Sequence, residues 1–245
     1  MLLLVSLLAR PDLYDLRQIS SGGTGPPVSH STRRCRFFLV NLTMRRAEFL
    51  IQSPALLETF LAEVDCLHLG TLDEQGGPYV TAVNFVFAQG KFYFHSSLRG
   101  RKMENLRRFA PVYLSVAQEF SFIPSYATHP QEACGATQFF RSVHVAGTAV
   151  ELENLETKTR ALNALMAKMQ PEGGYQPLSP LDPNHQKALK ATAVVEITPV
   201  SITGKFKFGQ NLKGERRLAV LDSLRHSPDP RAASTLAWME SLGEV

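Results

Sequence analysis

Phe92-Tyr93-Phe94-His95-Ser96-Ser97-Leu98-Arg99-Gly100-Arg101-Lys102 is the stretch that decides the fold, because an aromatic run meets two hydroxyls, a glycine and two cations. The aromatic half favours a β-strand, and residues 101–109 have helical character up to Pro111. Such a strand, turn and helix suit a phosphate dianion, since the helix start offers free N–H groups and Arg101 and Lys102 add full charges. The alternative interpretation is a solvated basic helix face that binds nothing.

The residues on either side of this stretch alternate between strand runs and turn dipeptides. Residues 66–72, 79–87 and 91–96 read as strands, separated by Gly76-Gly77 and Gln89-Gly90. The sequence therefore predicts an antiparallel meander.

Farther out, the pattern predicts helices and longer strands. Ser53 followed by Pro54 predicts a helix start, and Asn154 predicts the cap of a helix that runs to Met169. Further strands are expected at 112–117, 139–151 with a bend at Gly147, and 193–202. The Pro- and Gly-rich residues 170–184 predict an irregular loop, a lid or a dimer arm, and helices are expected beyond Gly209. The expected fold class is mostly β with peripheral helices, built on a β-barrel.

Composition and charge restrict the function. Of the net charge of +4, residues 1–43 hold +3, five arginines against two aspartates, so the remaining chain is nearly neutral and nucleic acid is not an expected partner. We expect residues 1–43 to be a disordered tail, or an incorrectly assigned start with translation from Met44. The apolar run 1–9 is too short to span a membrane. Three cysteines without a C-x-x-C pair favour a reducing cytoplasm, and the histidine spacing predicts no metal.

Several ordered motifs carry a resemblance to a known family. They are Met44-Arg45-Arg46, residues 76–85, Tyr93-Phe94-His95-Ser96-Ser97, Gly100-Arg101-Lys102, and Arg141-Ser142-Val143 through Gly147. Together they resemble the flavin-binding relatives of pyridoxamine phosphate oxidase, and among these the nitroimidazole-resistance (Nim) proteins. The resemblance implies an FMN-binding split β-barrel over residues 44–208, with a C-terminal helical extension over 209–245.

The same resemblance implies the site. The strand matching residues 79–84 lies along the flavin, and Arg141 and Ser142 reach the same pocket. His95 is the candidate catalytic residue; the alternative for it is a structural hydrogen bond. The implied cofactor-binding residues are Tyr79, Val80, Thr81, Ala82, Val83, Asn84, Phe94, His95, Ser96, Ser97, Gly100, Arg101, Lys102, Arg141 and Ser142. The family's flavin lies at a homodimer interface, which implies a homodimer.

The leading functional hypothesis is an FMN-dependent oxidoreductase that reduces a small acceptor, as a nitroimidazole reductase does. Two alternatives stay open: a non-catalytic flavin-binding regulator or carrier, and a haem-binding split-barrel protein with His95 or His144 as ligand. Where the true oxidase has an arginine-rich strand, this chain has Lys205 and Lys207. We therefore expect negligible oxidation of vitamin B6 phosphates, and two lysines that protect an edge strand.

Overall fold

The computed structural model describes residues 44–129 and 131–243, so the predicted tail 1–43 lies outside the described residues. One antiparallel sheet of eight strands forms the centre of the described part. The strands are β1 (Leu50–Ile51), β2 (Cys66–Leu72), β3 (Pro78–Asn84), β4 (Val86–Ala88), β5 (Lys91–Ser97), β6 (Pro111–Ile123), β7 (Thr137–Glu151) and β8 (Thr192–Lys207). The helices are α1 (Pro54–Glu63), α2 (Arg101–Arg108), α3 (Leu155–Met169), α4 (Pro183–Ala191), α5 (Gly214–Arg225) and α6 (Ala232–Ser241).

The sheet curls without closing. Its strand order is β3-β2-β6-β7-β8-β5-β4, and β1 pairs with the far end of β8. Among the described strands β3 forms a ladder only with β2, yet it also comes into contact with β5 near the other edge of the sheet. An antiparallel sheet whose ends approach in this way is a split barrel, which confirms the predicted fold class.

Alternation along the strands separates an apolar interior from an outer face. On β5, Phe92 and Phe94 are buried, while His95 and Ser97 are exposed. On β7, Val143 and Val145 point inward. These inward side chains pack into one hydrophobic core, which α1, α5 and α6 also join.

Several local predictions are confirmed by the structure. Ser53 caps α1, because its Oγ accepts a hydrogen bond from the Leu56 N–H at 3.3 Å, and Asn154 caps α3 by accepting from the Thr157 N–H at 3.0 Å. The register of β7 with β8 shifts at Gly147, where a Cβ would lie 2.9 Å from the Thr198 carbonyl oxygen. Gly147 therefore stands where the two backbones approach too closely for a side chain.

Three predictions about strand and helix extents are corrected. Residues 79–87 are not one strand, because the Phe85 N–H leaves the ladder to bond the Asp65 carbonyl at 3.3 Å, so that β3 ends and β4 begins after it. α4 was not predicted; its cap is Asp182, whose carboxylate accepts from the Asn184 N–H at 2.8 Å. β6 and β8 both extend past their predicted ends, because each has a partner strand over the added residues.

The expectation that Lys205 and Lys207 protect an edge strand is wrong for Lys205, whereas Lys207 pairs with Phe140 of β7 beyond the end of β1. Lys205 pairs with Ser142 of β7 on one side and with Leu50 of β1 on the other, so this part of β8 lies inside the sheet. Both lysine side chains are partly buried on the outer face.

The C-terminal helices pack onto the barrel. Thr235 of α6 is fully buried, and its Oγ1 accepts a hydrogen bond from the Ser121 N–H of β6 at 3.0 Å. The Trp238 ring packs against Phe206 and Phe208 of β8, each at 5.7 Å between ring centroids. The two helices therefore complete the core at this end of the sheet.

A partly buried lysine joins α3 to the end of α1. The Lys168 ammonium donates to the Leu61 and Val64 carbonyl oxygens at 3.0 and 2.6 Å, and it lies 3.9 Å from the Phe85 ring centroid. Burial lowers the pKa of Lys168 to about 8, although the Asp65 carboxylate opposes the shift. The protonated group is therefore held in a partly dry environment.

This lysine predicts a pH dependence of stability. Its folded pKa lies below the unfolded value of about 10.4, so between about pH 8 and 10 the unfolded chain binds the extra proton and the free energy of unfolding rises with pH. Lys168→Met should remove that rise, whereas Lys190→Met, at an exposed position of α4, should keep it. Urea denaturation across this range measures both, and equal pH slopes in the two variants would contradict the assignment.

Candidate functional site

The turn between β5 and α2 creates an open helix start. Gly100 caps α2 with a φ of 114°, a conformation that disfavours a side chain, and no side chain of the described residues caps the helix. The first helical hydrogen bonds run from the Met103 and Glu104 N–H groups to the Gly100 carbonyl at 2.9 and 3.1 Å. The N–H groups of Arg101 and Lys102 lie before these bonds and are available to an anion.

Lys102 is a partly buried cation beside this helix start. Its ammonium lies 5.3 Å from the centroid of the Phe94 ring. Desolvation lowers the pKa of Lys102. Among residues 44–129 and 131–243, no carboxylate or hydrogen-bond acceptor contacts its ammonium. A cation that is partly removed from water without a counter-ion is an incomplete ion pair, which an anionic ligand would complete.

Arg101 is held by the turn between β2 and β3. Its guanidinium donates to the Asp73 carboxylate at 2.8 Å and lies 4.7 Å from the Tyr79 ring centroid. The Asp73 carboxylate also accepts from the Gly77 N–H at 2.7 Å and the Gln75 N–H at 3.1 Å. The Gly77 N–H, followed by Arg101, lowers the pKa of this carboxyl group. Asp73 thus fixes Arg101 beside Lys102.

The other cations of α2 have carboxylate partners. Arg107 donates to both oxygens of Glu151, at 2.8 and 3.1 Å, and to the Leu98 carbonyl at 2.8 Å. Arg108 pairs with Glu74. For Arg107 and Arg108 the solvated, ion-paired helix face is therefore the right description, and Lys102 differs from them in its environment.

The candidate residues of β5 point alternately to the inner and the outer face of the sheet. Phe94 and Ser96 point toward the interior side, while His95 and Ser97 lie exposed on the outer side. The Ser97 Oγ accepts from the Arg99 N–H at 3.3 Å, so this hydroxyl shapes the turn. The structure thus does not bring His95 and Ser96 to one surface, because adjacent residues of a strand face opposite ways.

β3 divides its candidate residues in the same way. Its inward set includes Val83, which is buried, and its outward set includes Val80, which is 62% exposed. The Asn84 side chain donates to the Asp65 carbonyl at 3.2 Å. The inward set is Tyr79, Thr81 and Val83, and the outward set is Val80, Ala82 and Asn84.

Arg141 has partners of its own, away from the start of α2. Its side chain is 3% exposed, donates to the Glu63 carboxylate at 2.6 Å and also bonds Gln118, while its Nε has no partner among the described residues. Four aromatic rings surround the guanidinium at 4.7 to 5.6 Å from its carbon, namely those of Phe60, Phe120, Phe206 and Trp238. The adjacent Ser142 is buried on the opposite face of β7, paired with Ala117 and Lys205.

Sequence reasoning missed Asp73, Glu63 and Gln118. The segment Asp73-Glu74-Gln75-Gly76-Gly77 did carry a signal, because an aspartate ahead of two glycines is typical of a turn closed by its carboxylate. No local pattern marked Glu63 or Gln118, since each meets Arg141 only through the tertiary fold.

Two features are absent from the described residues, a metal-binding cluster and a membrane-spanning helix. No cluster of three or more His, Cys, Asp or Glu side chains within 44–129 and 131–243 could hold a metal ion. No helix in that part of the chain has the length and apolar content needed to cross a membrane.

A family comparison bears on the site. A model of the pyridoxamine 5'-phosphate oxidase family matches residues 53–206, which include β2 through most of β8 and the whole of α2. No curated protein sequence matches the chain.

Solved structures of the same fold exist. One is a Bacteroides thetaiotaomicron protein provisionally assigned to 5-nitroimidazole antibiotic resistance, with 23% identity, a TM-score of 0.53, and coverage of 64% of this chain and 85% of that one. A flavocytochrome from Azotobacter vinelandii has 22% identity and a TM-score of 0.55 over 65% of this chain and 69% of that one. An FAD- and haem-binding protein from Mycobacterium smegmatis has 16% identity and a TM-score of 0.55 over 65% and 73% of the two chains. At these identities the likeness shows a shared fold.

Proposed function

The chain belongs to the pyridoxamine 5'-phosphate oxidase family, and from that premise we propose that it binds FMN, with the phosphate at the start of α2. The observation that carries the proposal is Lys102, a partly buried ammonium with no counter-ion among the described residues, beside the free N–H groups of a helix start. A phosphate dianion would supply the missing charge and accept from these N–H groups.

Asp73 sets the role of Arg101 in this proposal. Because the Asp73 carboxylate holds one edge of the guanidinium, Arg101 presents its remaining N–H groups in a fixed position with little entropy to lose on binding. Lys102 supplies the charge that has no protein partner. The residues present therefore fit a phosphate group without rearrangement of α2.

The outer sheet face is the proposed surface for the rest of the cofactor and for a second copy of the chain. Val80, Gly70 and Tyr113 pair in register across β3, β2 and β6, and on this face Val80 is 62% and Tyr113 50% exposed. His95 lies exposed on the outer face of β5. A homodimer would cover these apolar side chains, which water contacts in the single chain.

When bound, the flavin supplies the electron transfer, and the protein holds and orients it. We propose that the reaction is reduction of a small acceptor such as a nitroimidazole, supported by the shared fold with the Bacteroides protein. His95 is the proposed proton donor, because an exposed imidazole on the outer face of β5 can reach an acceptor without crossing the core.

Anaerobic reoxidation tests this function. Protein loaded with FMN and reduced chemically should lose its reduced-flavin absorbance when mixed with a nitroimidazole, faster than free reduced FMN at the same concentration. His95→Ala, loaded with the same amount of FMN per chain as wild type, should slow this step, and His226→Ala, at an exposed histidine of the C-terminal region, should not. Failure with nitroimidazoles and other small acceptors, in protein that does hold FMN, would favour the regulator or carrier.

Haem is a second candidate, supported by the fold shared with the flavocytochrome and the FAD- and haem-binding protein. His144 is partly buried on β7, and burial together with Lys205 lowers its pKa, which favours the neutral imidazole that a haem iron requires. Flavin absorption bands or a Soret band in freshly purified protein would separate the two cofactors.

A further inference from the structure

A buried chain of hydrogen bonds joins α2 to the hairpin of β2 and β3. Asn105 and Thr71 are 5% and 4% exposed, and the side-chain amide of Asn105 donates to the Thr71 hydroxyl oxygen at 3.0 Å. The Thr71 hydroxyl in turn donates to the Tyr79 carbonyl oxygen at 3.2 Å, and Thr71 and Tyr79 face each other across the two strands. One side chain of α2 is therefore bonded, through a single hydroxyl, to both strands.

This polar pair is not the choice that stability alone would favour. Asparagine is a weak helix former, and the other inward side chains of α2 are the apolar Met103 and Leu106. Two apolar side chains of similar size would avoid the cost of removing an amide and a hydroxyl from water. Apolar packing is non-directional, however, whereas a hydrogen bond requires a defined distance and angle. What the pair adds is therefore a fixed position of α2 against the hairpin.

The ion pairs between the hairpin and α2 cannot fix the helix in the same way. They join Arg101 to Asp73 and Arg108 to Glu74, and the two arginine side chains are 56% and 47% exposed. Exposed pairs contribute little, and their long side chains can adjust when a helix shifts. Within residues 44–129 and 131–243, the bond of Asn105 is the only buried side-chain hydrogen bond of α2.

We propose that Asn105 and Thr71 are positioning residues that set the preference of the site for a flavin carrying a phosphate, and this inference rests on the proposed phosphate site at the start of α2. Asn105 lies four residues after Arg101, on the same side of the helix, so the bond to Thr71 also fixes the axial position and rotation of the Arg101 and Lys102 N–H groups. The chain ends on Tyr79, whose ring centroid lies 4.7 Å from the Arg101 guanidinium. A phosphate needs all these donors to converge on it, and neither positioning residue has to touch it.

The double variant Thr71→Val/Asn105→Leu tests the proposal, because it replaces the polar pair by apolar side chains and leaves every cation of α2 in place. Its Kd for FMN should rise by about tenfold, since donors that are no longer held in register lose affinity for their ligand. Its Kd for riboflavin, which lacks the phosphate, should not change. Quenching of flavin fluorescence measures both values, and their ratio is the readout that a purely structural role would not alter.

Single variants supply the controls. Thr71→Ser keeps the hydroxyl and should keep the wild-type ratio of the two Kd values, whereas Thr71→Val should lose it, and this comparison decides if the double variant does not fold. Thr235→Val on α6 removes another buried threonine hydroxyl, which donates to the Ser121 Oγ at 3.0 Å. That variant should lower the Tm without changing the ratio, because α6 is not part of the phosphate site.

The outcomes distinguish this inference from the function on which it rests. Wild-type protein that binds riboflavin as tightly as FMN would overturn the phosphate site and the positioning role together. A wild-type preference for FMN that persists in the double variant or in Thr71→Val would overturn the positioning role alone. Equal weakening of FMN and riboflavin in these variants would also overturn it, because it would show that the pair only supports the fold.

Discussion

Arg101→Ala/Lys102→Ala should weaken FMN binding by about 3 kcal/mol or more, roughly two orders of magnitude in Kd, because charge-assisted hydrogen bonds to a phosphate are worth about 1.5 to 3 kcal/mol each. Most of this loss should appear in Lys102→Ala alone. Arg101 already has the Asp73 carboxylate as its partner, whereas the Lys102 ammonium has no counter-ion within the described residues. Quenching of flavin fluorescence measures the Kd.

The matched control is Arg108→Ala, on the same helix. It removes one positive charge, as Lys102→Ala does, yet Arg108 is exposed and paired with Glu74 at the other end of α2. Its Kd for FMN should stay within about twofold of wild type, because a screened surface charge contributes little. If the folded double variant binds FMN as tightly as wild type, the phosphate is held elsewhere and α2 is an ordinary solvated basic helix.

Glu63→Ala should lower the free energy of unfolding by about 3 kcal/mol, since it leaves the Arg141 guanidinium buried without its carboxylate. Gln118 and the four surrounding rings still contact the guanidinium in this variant. Because these contacts partly compensate the charge, we expect a loss of unfolding free energy at the low end of what breaking a buried ion pair costs. Glu58→Ala, at an exposed position of the same helix, should change stability by less than about 0.5 kcal/mol. Urea denaturation of the wild-type protein, Glu63→Ala and Glu58→Ala measures their free energies of unfolding.

A paired replacement shows whether charge or shape matters at Arg141. Glu63→Leu/Arg141→Met should recover most of the stability lost in Glu63→Ala, because apolar side chains of similar volume suit the aromatic surroundings. The same double variant tests the sequence-based prediction that Arg141 contacts the cofactor. Unchanged FMN affinity in it would assign Arg141 to the fold alone, and Glu63→Ala at wild-type stability would mean that the guanidinium charge is satisfied without Glu63.

Local patterns predicted the elements that surround the site. Ser53 and Asn154 marked helix starts through their caps, and Gly100 with Arg101 and Lys102 marked the turn into α2, because caps and glycine turns depend on adjacent residues. The bend at Gly147 was predicted for the same reason.

What sequence reasoning could not supply was the pairing of distant residues. Lys205 was predicted to be an edge-strand lysine, but β1 pairs with it. The contacts of Arg141 with Glu63 and the aromatic rings were likewise not predictable from the sequence, and its contact with the cofactor stays a prediction. Charge runs show which side chains are basic, whereas the fold decides which of them meet a carboxylate. This difference separates Lys102 from Arg107 and Arg108.

Titration of the full chain with FMN is the most direct test of the central claim. We expect saturable quenching of flavin fluorescence with one FMN bound per chain, and riboflavin, which lacks the phosphate, should bind more weakly by about tenfold or more. Equal affinity for riboflavin and FMN, or no quenching by either, would contradict a phosphate site at the start of α2.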